Sequence, residues 1–349
     1  MSLTSPRTPP RSAPGPRVDV VVPVYNAPEA TLSCLESLYK HSGTHLNRVL
    51  VEDDGSEPDV AHTLDGLALP GLCVGHAPEN TGFGRTVNRG MARVHTDLAL
   101  VLNSDIRADE DFIAPLLDAM NACPDLVALQ ATSPQVASYD LSRYRRRAGC
   151  VVTYSLWGYA FVIRRAAFAA LDGFDSAYGR GYFEDVDLGR RLIARGGWIG
   201  VHPEARVEHQ GGASFAAVPD RRTIAERARA VYLERHPIAR RRLQLWSATG
   251  CFSRLPPDLQ SALEDFLARG GRVEWMCGEP GSDLPGLPMQ SRRFALGKAT
   301  EDVLARHHRR PDRNISDLWW VDDLGAAERA LVKLAKLRGI AVRSWKSAA

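Results

Sequence analysis

The chain has little of what marks a specialised class of protein. Cysteine is scarce, with six in 349 residues, widely spaced and without a C-x-x-C pair. That excludes zinc ribbons, dithiol redox motifs and the dense disulfide framework of small secreted domains. Long apolar runs are missing as well: the strand-like Leu98–Leu102 is five residues long, against the roughly 20 that span a bilayer. The first 17 residues are rich in Pro, Arg and Ser but hold no apolar segment, so they read as a disordered tail rather than a signal peptide. An excess of one charge is also lacking. Lys and Arg number 44 against 41 Asp and Glu, a net +3, too weak a balance to imply a nucleic-acid partner. No internal repeat interrupts the pattern.

What is present is ordinary soluble composition, 44% hydrophobic and 24% charged. The length predicts about two domains, enough chain to bury roughly three quarters of its unfolded surface without disulfides or a structural metal. These features predict a soluble protein acting in the cytoplasm.

From Val18 onward, short apolar strands alternate with amphipathic helices. Strands are expected at Val18–Val24, Arg48–Asp53, Leu72–His76, Leu98–Asn103 and Val127–Ala131, with helices between them whose apolar residues recur three and four apart. Helices of that length between strands imply βαβ units and a largely parallel sheet. Tyr159–Ile163 and Trp198–Val201 should join that sheet, with a helix from Glu184 to Arg195 between them. After the helix stop His236-Pro237 a second α/β pattern begins. The expected organisation is a tail over 1–17, a domain over 18–240 and a smaller C-terminal α/β domain over 241–349.

Ligands of open α/β sheets sit outside the carboxyl ends of the strands. Here four successive strands end in Pro23-Val24-Tyr25-Asn26, in Glu52-Asp53-Asp54-Gly55-Ser56, just before Asn80-Thr81-Gly82-Phe83-Gly84-Arg85, and in Asn103-Ser104-Asp105. Each is explicable alone as a turn or a helix cap; together they aim polar and acidic groups at one crevice. A dinucleotide fold fits poorly. The third glycine of G-x-G-x-x-G would fall at Val87, and the loop follows the third strand rather than the first.

These residues, with FEDVDLGRRL at 183–192 and HQGGAS at 209–214, resemble the family 2 glycosyltransferases of GT-A fold, and in order and spacing the bacterial rhamnosyltransferase-like members. The resemblance covers about residues 18–235, and no family is recognised beyond it. It implies an inverting transferase that moves a sugar from a UDP- or dTDP-linked donor to a hydroxyl of a glycan or lipid-linked acceptor, in cell-surface polysaccharide or glycoconjugate synthesis. A lipid-linked acceptor would place the chain at the inner face of the membrane as a peripheral protein.

By the same resemblance, Asp105 and His209 are the expected metal ligands for Mn²⁺ or Mg²⁺, cations that suit oxygen and imidazole donors. Asn103 stands where the family's D-x-D motif has its first acid. Pro23, Tyr25, Asn26, Asp54, Asn80, Gly82, Arg85, Asn103 and Ser104 are expected on the nucleotide, with Asp54 on the base and the helix after Gly82 turning its N–H groups to the diphosphate. Asp185 is the expected base, with Glu184 and Asp187 as alternatives, because sequence alone does not show which carboxylate points inward. Trp157, Gly158 and Asp187 are expected on the acceptor side. The run Arg143–Arg147 reads as a solvated loop or as a contact for an anionic acceptor. Two other readings are kept open: a non-catalytic binding domain of the same fold, and a sugar-nucleotide pyrophosphorylase, although Pro23–Ala30 lacks the Gly-rich loop and lysine of that class. The C-terminal domain is expected to serve acceptor recognition or self-association: Trp319 and Trp320 alternate on a short strand, so one should face away from its own core, either as an anchor for self-association or covered by a helix of the same domain.

Overall fold

The computed structural model describes residues 17–210, 220–305 and 313–346. Most of the N-terminal tail (1–16) and residues 211–214 of the histidine motif lie outside these. The first half builds β1 (Val18–Val24), β2 (Leu46–Asp53), β3 (Leu72–His76), β4 (Leu98–Leu102), β5 (Ile106–Arg107), β6 (Leu126–Thr132), β7 (Arg146–Arg147), β8 (Cys150–Thr153), β9 (Ala160–Arg164), β10 (Trp198–Arg206) and β11 (Glu208–His209). Nine of these form one sheet in the order β3-β2-β1-β4-β9-β6-β10-β8-β7, while β5 and β11 pair separately. Only β8 and β9 run against the rest. The expected α/β class, a mostly parallel sheet flanked by helices with a smaller α/β unit behind it, is the one observed.

Alternation along β1 shows why the layers form. Val18, Val20, Val22 and Val24 enter one core cluster, and Val21 enters the cluster on the opposite face; successive side chains of a strand point to opposite sides. The strand order reverses at β1, with β2 and β3 on one side and β4 on the other. That reversal leaves a crevice at the carboxyl ends of β1 and β4, where an open α/β sheet places its ligand.

The second sheet begins at β12 (Arg242–Ser247) and adds β13 (Arg272–Cys277), β14 (Gln290–Arg293), β15 (Asp317–Val321) and β16 (Ala341–Trp345), all parallel, in the order β14-β13-β12-β15-β16. It is fused to the first unit. Leu243, Leu245, Phe252 and Trp275 belong to the same core cluster as Val18 and Leu100. Arg145 N–H donates to Leu284 O and Leu287 N–H to Val152 O (2.8 and 3.0 Å). Arg143 Nε reaches Gly281 O at 2.9 Å, and Tyr144 OH reaches Met289 O at 2.7 Å. Arg145 bonds Glu264 and lies over the Phe252 ring. Arg147 bonds Asp125 and covers Trp198. The basic run is therefore mainly a tie within and between the two units, which corrects the reading of it as an acceptor contact.

The paired tryptophans are covered by their own domain, the second of the two expected arrangements. Trp319 is buried against Phe266 and Trp345, and Trp320 packs half-buried on the opposite cluster. Each face of β15 has cover from its own chain, so neither is left as an outward anchor. Among the described residues, no helix is long and apolar enough to cross a membrane.

Candidate active site

The crevice at the β1–β4 reversal opens into a cavity of about 520 Å³, within the usual range for small-molecule sites. Four strand ends and two loops from the second half of the unit supply its walls. Of the sixteen residues expected on sequence grounds, thirteen line it; Asn26, Arg85 and Asp187 do not.

At the floor, Asn103 N–H is fixed by Tyr159 O at 2.8 Å, which leaves the Asn103 side chain and Asp105 at the cavity. The short ladder of β5 with β11 pairs Ile106 with His209 and so brings a residue a hundred positions away beside Asp105. His209 Nε2 lies 3.3 Å from Asp105 Oδ1, and the ring stacks on Tyr159 with centroids 5.4 Å apart. Both side chains are largely shielded, Asp105 being 7% exposed. Asn103 Oδ1 is buried without a hydrogen-bond partner. One carboxylate, one imidazole and an unpartnered amide oxygen suit a hard divalent cation whose other ligands are phosphate and water. Among the described residues no cluster of three or more His, Cys, Asp or Glu side chains forms a metal site, so the protein's share would be the Asp105–His209 pair.

Where nucleotide contacts are expected, the Asp54 carboxylate is engaged by the chain itself. Its Oδ1 accepts from Thr81 N–H and Thr81 Oγ1 (3.0 and 2.8 Å), and its Oδ2 accepts from Gly82 N–H (2.7 Å). Phe83 N–H donates to Arg180 O at 3.3 Å. The N–H groups of Gly82 and Phe83, at the start of the helix Phe83–Met91, are thus held by the protein itself, so these two do not face a diphosphate. Gly82 sits at φ +93°, and a Cβ there would lie 2.3 Å from Arg180 Cα; only glycine permits both the dihedral and the approach. Asn80 stays at the cavity, its Oδ1 buried and unpartnered. Arg85 is exposed on the outer face of the helix. Asn26 braces the neighbouring loop instead, receiving Glu57 N–H at 2.8 Å and donating its own N–H to Ser56 Oγ at 2.9 Å.

At the far wall, the helix Glu184–Ala194 starts after Tyr182 and Phe183, both left-handed at φ 73° and 69°. Such conformations cost of order 1–3 kcal/mol each and cluster at functional sites. They turn the helix start so that Glu184 and Asp185 enter the cavity together. Asp185 Oδ2 accepts from Gly158 N–H at 2.8 Å, and its Oδ1 from Val186 N–H at 2.7 Å. A Cβ on Gly158 would lie 3.1 Å from Asp185 Cβ, so residue 158 serves by seating the carboxylate. Glu184 is 6% exposed, and its Oε2 has no partner. Burial raises both carboxyls above their ordinary range, and the Asp185 charge raises Glu184 further.

Asp187, one turn of the chain later, faces away. Tyr178 OH donates to its Oδ1 at 3.0 Å, Arg191 Nε to its Oδ2 at 2.6 Å, and His236 Nε2 lies 2.8 Å from Oδ1. Burial would raise this carboxyl, but these partners outweigh it and hold it below the usual range. Asp187 is a buried lock and neither a base nor an acceptor ligand.

Sequence reasoning missed Gln135, Arg180, Tyr182 and Phe183, which also line the cavity. The G-R-G turn at 179–181, separated from the two acids by Tyr182 and Phe183, was the available signal for Arg180.

A pre-mycofactocin glycosyltransferase of Mycobacterium tuberculosis is 32% identical over 227 residues, covering 60% of this chain and 45% of that protein. An N-acetylglucosaminyl-diphospho-decaprenol L-rhamnosyltransferase of the same organism is 28% identical over 214 residues, covering 49% of this chain and 69% of its own. The chain therefore spans less than half of the first of these relatives. Among solved structures, a mannosyltransferase from Pyrobaculum calidifontis in complex with GDP-Man and Mn²⁺ superposes with TM-score 0.48 at 19% identity, over 63% of this chain and 61% of that one. TarS 1-349 of S. aureus with UDP-GlcNAc gives TM-score 0.48 at 18% identity, over 62% and 66%. Residues 19–187, just under half of the chain and including every lining residue of the cavity except His209, match the family model described as Glycosyl transferase family 2.

Proposed function

We propose that this chain is an inverting, metal-dependent glycosyltransferase that moves a sugar from a UDP- or dTDP-linked donor to a hydroxyl of a glycan or lipid-linked acceptor. The observation that carries the reading is a convergence. Three buried oxygens without partners, Asn80 Oδ1, Asn103 Oδ1 and Glu184 Oε2, face one cavity that also holds the Asp105–His209 pair and Asp185. Buried polar atoms are almost always satisfied in native proteins, so three unsatisfied ones in a single cavity mark where a polar ligand binds. The match to the family 2 model supports the reaction class. The relative named for a diphospho-decaprenol substrate supports a lipid-linked acceptor, which would draw the chain to the inner face of the membrane in cell-surface polymer synthesis.

The mechanism follows from charge placement. Asp105 and His209 would hold a divalent cation, which supplies charge compensation for the leaving diphosphate when bound. Asp185 receives backbone N–H groups on both oxygens, whereas Glu184 Oε2 receives none. When the buried pair shares one negative charge, it therefore resides on Asp185 and the proton on Glu184. Asp185 then removes the proton of the acceptor hydroxyl as that oxygen bonds to the anomeric carbon. The bond from that carbon to the β-phosphate oxygen breaks, its electron pair leaves with the nucleoside diphosphate, and attack from the opposite side inverts the centre. Tyr25 and Asn80 lie toward the nucleoside, and Trp157 toward the acceptor.

The test is release of nucleoside diphosphate from a panel of nucleotide sugars, with and without Mn²⁺. Slow Mn²⁺-dependent release supports the transferase. Formation of nucleoside triphosphate only when pyrophosphate is added would favour a pyrophosphorylase, and donor binding without turnover would favour a non-catalytic domain.

A further inference from the structure

Asp54, Asp105, Glu184 and Asp185 line the cavity, and Arg180 is the only Lys or Arg among the described residues that do. It sits on an exposed turn between Gly179 and Gly181. Its backbone is pinned, since its carbonyl accepts from Phe83 N–H and its Cα occupies the space that a side chain on Gly82 would need. Its guanidinium, in contrast, makes no hydrogen bond or ion pair with any described residue. Of the other arginines on that side, Arg89 and Arg93 both hold Glu52, at 2.7 and 2.5 Å, and Arg85 is exposed on the outer face of its helix and does not line the cavity. A fixed backbone carrying an unbonded cation at the mouth of an acid-lined cavity has an anion as its natural complement.

We propose that Arg180 clamps the diphosphate of the bound donor. The inference rests on the reading of the cavity as a nucleotide-sugar site and goes beyond it by assigning a phosphate ligand on the chain itself. A diphosphate brings further negative charge among four carboxyl groups, and the planar guanidinium fork matches phosphate oxygens two at a time. Phosphate could also come from a lipid-linked acceptor. The donor is favoured because the turn is pinned to Gly82 and Phe83, on the nucleotide side of the cavity. When the sugar–phosphate bond breaks, the electron pair settles on the β-phosphate oxygen, and a donor already aimed there binds the transition state better than the ground state. Arg180 therefore acts on turnover as well as on affinity.

The experiment is calorimetric titration of the full chain, in Mn²⁺, with UDP, dTDP and GDP, followed by the nucleoside of whichever binds. Arg180→Gln should weaken the diphosphate by about 10- to 100-fold, as loss of hydrogen bonds to a charged group does, and leave the nucleoside unchanged. Arg180→Lys should fall between the two. Diphosphate affinity equal to that of the parent chain overturns the clamp, as it would if the arginine served an acceptor phosphate. An equal loss for the nucleoside also overturns it, because the residue would then be structural. If the parent chain binds none of the three diphosphates, the nucleotide reading itself falls and the clamp with it.

Discussion

Glu184 and Asp185 are adjacent in sequence, share one cavity and differ in what touches them. Backbone N–H groups hold both oxygens of Asp185, while Glu184 Oε2 is buried and unbonded. Burial raises both carboxyls and the Asp185 charge raises Glu184 further. The folded chain thus binds the Glu184 proton more tightly than the unfolded chain, whose Glu titrates near 4.3. That contribution to stability is complete below the unfolded value and is lost as pH rises through the raised folded value. Glu184→Gln cannot ionise and should escape the loss. Its melting temperature relative to the parent should climb between pH 5 and 9, and a difference that stays flat across that range contradicts the shared-charge account. Asp105 makes a separate case. Because it lies at a strand end and not in the apolar core, Asp105→Ala should abolish Mn²⁺-dependent donor turnover with a melting temperature within about 2 °C of the parent, equivalent to about 1 kcal/mol for a chain of this size. Turnover at the parent rate would remove Asp105 from the metal site.

At the scale of elements, the cavity is positioned by strand order and trimmed by loops. Asp54 ties the 80–82 loop through three donors, so Asp54→Ala should cost about 2 kcal/mol in urea unfolding and weaken nucleotide binding together. Weakened binding at unchanged stability would instead restore the direct contact with the base expected from its motif. The strands β1 to β4 and β6 were legible because each is a short apolar run between helical periods, and strand ends define the crevice in any such sheet. That is why most of the cavity residues could be named in advance. The failures have physical causes. Asp187 was misassigned because the direction of the first turn of its helix is set by left-handed backbone at Tyr182 and Phe183, which no periodicity reveals. Asn26 and Arg85 lie within motifs but on the outer sides of their turns. β14, with the sequence QSRR, is an edge strand whose polar residues hide the usual signal, and β5 and β11 are two residues long although they create the Asp105–His209 contact.

For the molecule as a whole, the two sheets share one core. Arg190 of the helix Glu184–Ala194 donates to Leu267 O at 2.7 Å across the junction, and Leu243, Leu245 and Trp275 are buried in the cluster that also contains β1 and β4 residues. Truncation after Arg242 should therefore yield an insoluble or loosely folded chain. A soluble truncation with full nucleotide affinity and a cooperative melt would show that the C-terminal unit is a separable appendage. On the proposed reading, donor contacts come from the strand ends of the first half, whereas the base comes from the helix beyond β9. Affinity and proton removal should then be separable by one substitution. The decisive measurement compares Asp185→Asn with the parent chain for Mn²⁺-supported binding of the nucleotide sugar and for its transfer to acceptor. Affinity should hold within a few-fold while transfer falls by roughly 10²–10⁴. Transfer at the parent rate, or loss of donor binding in a folded variant, would contradict the assignment of Asp185 as the base.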